Sequence, residues 1–91
     1  MMKVLIEFIG YVSRKVGKEW LWMEIGGGET LHDLFSKHLA LMLDVEVVES
    51  LVAMLSRGDI QIAVNGRMVD NLNVKLKDGD KIIVFPMAAG G

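Results

Sequence analysis

The sequence predicts an α+β fold: a mixed sheet of four to five strands packed on one main helix, with a second, shorter helix beside it. Three observations predict it. Alternating apolar residues mark strands near both ends of the chain and in its second half. Two segments with apolar residues at helical spacing lie between the second and third strands. Turn residues at Gly26-Gly27-Gly28, Asn65-Gly66 and Asp78-Gly79 punctuate the pattern.

Val4, Ile6 and Phe8 alternate with Lys3, Leu5 and Glu7, giving a first strand with one strongly apolar face. Gly10 to Lys18, which contains Arg14, Lys15 and Lys18, reads as a polar connection. Glu19 to Ile25 forms a second strand, with Leu21, Met23 and Ile25 on one face and Trp20, Trp22 and Glu24 on the other. Glycines 26–28 end it, being too flexible for a strand interior. Thr30 is a natural helix N-cap, and Asp33 falls near the positive end of the helix dipole. Leu31, Leu34, Phe35, His38, Leu39 and Met42 then supply an apolar stripe.

A second helix is expected from about Val45 to Arg57, with Val47, Val48, Leu51, Val52, Met54 and Leu55 apolar and Gly58 as its stop. Ile60, Ile62 and Val64 alternate with Gln61 and Ala63 as a third strand. Asn65-Gly66 suits a two-residue type I′ hairpin, whose central positions both need positive φ. Arg67 to Val69 is the short return strand, and Asp78-Gly79 turns the chain into a last strand ending at Phe85. A sheet and an amphipathic helix each bury one face against the other, so these elements imply a single core.

With 91 residues the chain makes one domain, whose core should give modest stability. Its apolar fraction of 52% and charged fraction of 24% are those of a globular protein, not a disordered one. No apolar run approaches the roughly 18–20 residues of a membrane span, and Met1 is followed by no signal-like segment. A cytoplasmic protein is the expectation. A net charge of -2 offers no electrostatic case for nucleic acid. The absence of cysteine excludes disulfides, thiolate metal sites and a cysteine nucleophile. His32 and His38 lie six apart, far from each other around a helix, and form no metal pair. The seven methionines are dispersed and read as core filler. No Ser-His-Asp set, phosphate loop or carboxylate pair can be assembled, so the chain is not expected to be an enzyme by itself.

The chain ends Pro86-Met87-Ala88-Ala89-Gly90-Gly91. Everything after Phe85 is small, uncharged or adaptable. A Gly-Gly end can thread a channel too narrow for any Cβ, and an extended tail would reach roughly 20 Å from the body at about 3.3–3.6 Å per residue. The division expected is a domain over 1–86 and a flexible tail over 87–91.

Leu76-Lys77-Asp78-Gly79-Asp80 and the strand and Gly-Gly tail that follow resemble the C-terminal signature of the MoaD/ThiS sulfur-carrier family, ubiquitin-like small proteins that include the small subunit of molybdopterin synthase. Lys3 to Phe8, with Arg14 and Gly17, is similar to the family's opening strand and loop, and Ala63-Val64-Asn65-Gly66 to its central hairpin. One departure is that Met87 follows Pro86 where many members have a second proline. The resemblance implies a β-grasp, with the first and last strands side by side and parallel at the sheet centre. It also implies chemistry at Gly91, which an E1-like, MoeB-like activating enzyme would adenylate with ATP and convert to a thiocarboxylate. Gly90, Ala89, Ala88 and Met87 would occupy the partner's channel. The chain would hold no permanent cofactor. Its partner would be the MoaE-like large subunit of molybdopterin synthase. A ubiquitin-like modifier, or a carrier for tRNA thiolation or thiamine thiazole synthesis, starts from the same tail.

Phe85, Trp20 and Trp22 are the candidate partner surface. If Leu21, Met23 and Ile25 face the helix, both indoles stand on the outer sheet surface, and a partner or a second copy in a homodimer would cover them. The alternative is that a helix or loop of the chain itself covers them. Lys77, Asp78 and Asp80 are expected simply to solvate their turn.

Overall fold

The computed structural model describes residues 1–87. Its sheet has five strands: β1 (Met2–Phe8), β2 (Trp20–Ile25), β3 (Ile60–Val64), β4 (Arg67–Met68) and β5 (Lys81–Pro86), in the order β2-β1-β5-β3-β4. β1 and β5 run parallel at the centre, with Ile6 opposite Ile82, and every other pairing is antiparallel. This is the β-grasp arrangement. Strand alternation sends Val4, Ile6, Phe8, Leu21, Met23, Ile25, Ile60, Ile62, Ile82 and Val84 to one face, where all are buried.

The helices close that face. A helical segment over residues 31–42, here α2, is built from Leu31–Asp33, a wider π-type turn Leu34–Leu39, and Ala40–Met42. The Thr30 hydroxyl accepts from the Asp33 N–H at 3.2 Å, and the Asp33 carboxylate accepts from the Thr30 N–H at 3.0 Å, a reciprocal cap that starts the helix. Leu31, Leu34, Phe35 and Leu39 are buried beneath it, whereas Met42, at the end of the same stripe, is 48% exposed. Behind it α3 (Val45–Arg57) buries Val48, Leu51 and Met54, and Gly58 ends it in the left-handed conformation. Among the described residues no helix is long and apolar enough to cross a membrane.

Two expectations need correction. The segment after β1 is not merely a polar connection, because Tyr11–Val16 forms a short helix, α1, that buries Val12. Val12 and Val16 are one turn apart, and this single apolar row is masked in sequence by Ser13, Arg14 and Lys15. Nor does Asp80 merely solvate its turn, since it is 7% exposed and its carboxylate accepts from Asn65 Nδ2 and from the Lys77 N–H, each at 2.7 Å. Asn65 in turn accepts the Lys81 N–H at 2.9 Å through its side-chain oxygen. The hairpin tip, with Asn65 at φ 52° and Gly66 at φ 84°, is thereby tied to the start of β5. On the other flank, the Gly79 N–H donates to the Lys3 carbonyl at 2.7 Å, and the Lys3 N–H to Asp78 Oδ1 at 2.9 Å. The turn thus grips both neighbours of β5, which sets the register in which the last strand runs out.

Candidate functional site: the outer sheet face and the end of β5

The sheet face turned away from the helices carries more apolar area than folding requires. Trp20 and Trp22 are 57% and 53% exposed, so no helix or loop among the described residues covers them. Trp22 lies opposite Leu5 and Trp20 opposite Glu7. Across β1, Leu5 is paired with Lys81 and Glu7 with Ile83. Across β5, Ile83 meets Ala63 and Phe85 meets Gln61, and Ala63 meets the exposed Met68. A band of Trp22, Leu5, Trp20, Ile83 and Phe85 therefore runs diagonally over the sheet toward the end of β5. The Lys81 ammonium bridges to the Glu7 carboxylate at 2.9 Å within it, so the charges on this face partly neutralise each other. Exposed aromatic and aliphatic groups gathered in this way are the usual mark of an interface.

Ile83 and Met68 join this face without having been singled out in the sequence. Ile82, Ile83, Val84 and Phe85 form an unbroken apolar run, as expected for a central strand, and such a run does not announce which residues point outward. Only the pairing with β1 and β3 decides it.

The band leads to the chain's exit from the sheet. Phe85 and Pro86 are half-buried, and Met87, the last described residue, is 46% exposed while its N–H donates to the Asp59 carbonyl at 3.0 Å. Ala88, Ala89, Gly90 and Gly91 lie outside the described residues. His38 has a structural partner: its Nε2 lies 2.7 Å from Glu29 Oε2, which also accepts the Gly26 N–H at 2.8 Å. Glu29 is held below the usual carboxylate range by the Gly26 N–H and then by His38. No group of three or more His, Asp or Glu among the described residues could hold a metal ion.

A central parallel pair in a five-stranded mixed sheet, packed on helices on one face, defines a ubiquitin-like β-grasp fold. The ThiS family profile matches residues 6–91, and the chain belongs to the ThiS family. Solved structures agree. The molybdopterin-converting factor of Helicobacter pylori, a complex of its subunits 1 and 2, contains a chain 29% identical, covering 99% of this chain and 100% of that one with a TM-score of 0.64. A protein from Pyrococcus furiosus described as putative molybdopterin converting factor subunit 1 is 24% identical, with coverages of 97% and 100% and a TM-score of 0.66. Small archaeal modifier protein 1 of Haloferax volcanii is 18% identical, with coverages of 97% and 100% and a TM-score of 0.65. No curated protein matches the chain by sequence.

Proposed function

We propose that this chain is a sulfur carrier that acts as the small subunit of molybdopterin synthase, with Gly91 as the reacting residue and no active site of its own. The observation that carries the reading is the apolar outer face continuous with the end of β5, the strand that delivers the Gly-Gly tail. Its likeness to a molybdopterin-converting factor chain seen in complex with subunit 2 supports the molybdopterin branch.

The chemistry follows from the carboxylate. A sulfur nucleophile does not displace oxygen from an anionic carboxylate, because attack adds charge to a group that is already negative. An E1-like enzyme would spend ATP to make the Gly91 acyl-adenylate, releasing pyrophosphate. The terminal sulfur of a persulfide would displace AMP to give an acyl disulfide, and a second thiol would cleave its S–S bond, leaving the thiocarboxylate and a disulfide. In the large synthase subunit the terminal sulfur would attack a pterin precursor, and water would then cleave the acyl–sulfur bond, leaving the sulfur on the pterin and returning Gly91 as carboxylate. Gly90 and Ala88-Ala89 serve by lacking bulk, while Trp20, Trp22 and Phe85 hold the body against each partner.

The destination is tested by adding the thiocarboxylated chain to a molybdopterin synthase large subunit and the pterin precursor. Transfer of sulfur to the pterin is the expected result. Adenylation that instead yields isopeptide bonds to lysines would assign the chain to the protein modifiers.

A further inference from the structure

The point at which the tail leaves the body is held from two sides. Pro86 pairs with Ile60 at the end of β5, and the next N–H, that of Met87, donates to the Asp59 carbonyl at 3.0 Å. The Tyr11 hydroxyl lies 3.4 Å from the same carbonyl. Asp59 is itself fixed, because its N–H donates to the Met54 carbonyl at 2.9 Å and its carboxylate accepts Arg57 Nε at 2.9 Å. On the opposite side Gly10 lies next to the proline ring. A Cβ at Gly10 would stand 3.2 Å from Pro86 Cγ, and the residue's φ of 65° is one that glycine adopts freely.

We propose that Gly10, Tyr11 and Asp59 form a collar that fixes where and in which direction the chain leaves the sheet, as far as Met87. This rests on the carrier reading for its use, although not for its geometry. Four residues follow Met87, giving the Gly91 carboxylate a reach of roughly 13–14 Å from a fixed origin. Once the outer face has docked, an activating enzyme meets the carboxylate within a narrower volume than a tail freed from Phe85 onward would sweep. Restricting the approach of a reacting group raises the rate of the step it enters. The three are positioning residues: Gly10 and Asp59 meet the tail's root, Tyr11 acts through the Asp59 carbonyl, and none is assigned a contact with the reacting atoms.

The donor at Met87 can be removed without touching the core. Met87→Pro deletes the N–H, and Met87→Ala keeps it while trimming the side chain. In the intact wild-type protein the Met87 amide is expected to exchange its hydrogen about tenfold or more slowly than the same amide in an unstructured peptide. Exchange at the peptide rate would overturn the collar. In adenylation by an E1-like activating enzyme, followed as pyrophosphate release, Met87→Ala is the reference, because it keeps the N–H and carries whatever loss the side chain alone causes. Met87→Pro should lower kcat about threefold to tenfold, the range expected for one lost hydrogen bond, with KM and thermal unfolding unchanged. Equal turnover by the two variants would remove the collar's role in positioning. If wild-type protein is not adenylated at all, the carrier reading fails and the exchange measurement alone decides whether the collar exists.

Discussion

The inner and outer faces of this sheet are both rich in large apolar side chains, yet they are covered very differently. On the inner face Ile6 and Ile82 are fully buried, Phe8 is 3% exposed, and α2 seals them with Leu34 and Phe35. On the outer face Trp20 and Trp22 remain more than half exposed beside Leu5 and Ile83, with the Glu7–Lys81 ion pair set among them. The inner face explains why the chain folds. The outer face is apolar surface left over once folding is complete, and it runs toward the strand end from which the tail departs. Stability and recognition are thus divided between two sides of the same strands, often between adjacent residues such as Leu21 and Trp22.

That division can be broken at single residues. Phe35→Ala opens the inner core and should lower unfolding free energy by about 3–5 kcal/mol in a denaturant titration. Trp22→Ala should do the opposite, weakening association with a partner by about 2 kcal/mol or more if the indole is a hot spot, with little loss of monomer stability. Titration calorimetry and thermal melts on the same variant separate the two effects. Tryptophan emission should be red-shifted and quenchable in dilute protein, then protected in a complex. Blue-shifted, unquenchable emission at every concentration would erase the distinction between the faces.

Smaller effects sharpen the picture at the edges. Asp80→Ala removes the buried carboxylate that accepts from Asn65 Nδ2 and from the Lys77 N–H and should cost about 1–3 kcal/mol, read as a fall in denaturation midpoint. Glu29 and Asp33 are both held below their ordinary carboxylate values, the first by the Gly26 N–H and then His38, the second mainly by the Thr30 N–H. A depressed folded-state value means that the stabilisation is full near neutrality. It is lost as pH falls below the ordinary carboxylate range toward the depressed value. Glu29→Gln should therefore lower stability near neutrality and leave it nearly unchanged in acid, flattening part of the acid limb of a stability–pH curve. Lys81→Met removes only an exposed pair and should change stability by less than about 1 kcal/mol.

How much of this was readable beforehand depended on whether a signal was local. The helix starting at Thr30 carries its own cap, and α3 carries its own stop at Gly58. Asn65-Gly66 dictates its turn through backbone conformation alone. The outward placement of Trp20 and Trp22 followed from strict alternation with Leu21, Met23 and Ile25. What escaped the sequence was set by contacts between distant segments. α1 is held by burial of one residue, Val12, among polar neighbours. Asp80 is buried and meets, besides the nearby Lys77 N–H, the side chain of Asn65, fifteen positions earlier. The hold on Met87 joins Gly10, Tyr11 and Asp59, residues that no spacing rule would bring together.

The central claim is that the folded body presents one reacting residue to its partners. Incubation with an E1-like activating enzyme, ATP and a sulfur donor, followed by intact-mass and peptide analysis, tests it most directly. The expected product gains the mass of a single oxygen-to-sulfur exchange, and the whole shift resides on the peptide ending at Gly91. Deleting Gly90 and Gly91 should abolish that shift while leaving the thermal transition nearly unchanged, since two glycines bury little apolar surface. A shift on any other peptide, or a domain that melts when the two glycines are removed, would contradict the account.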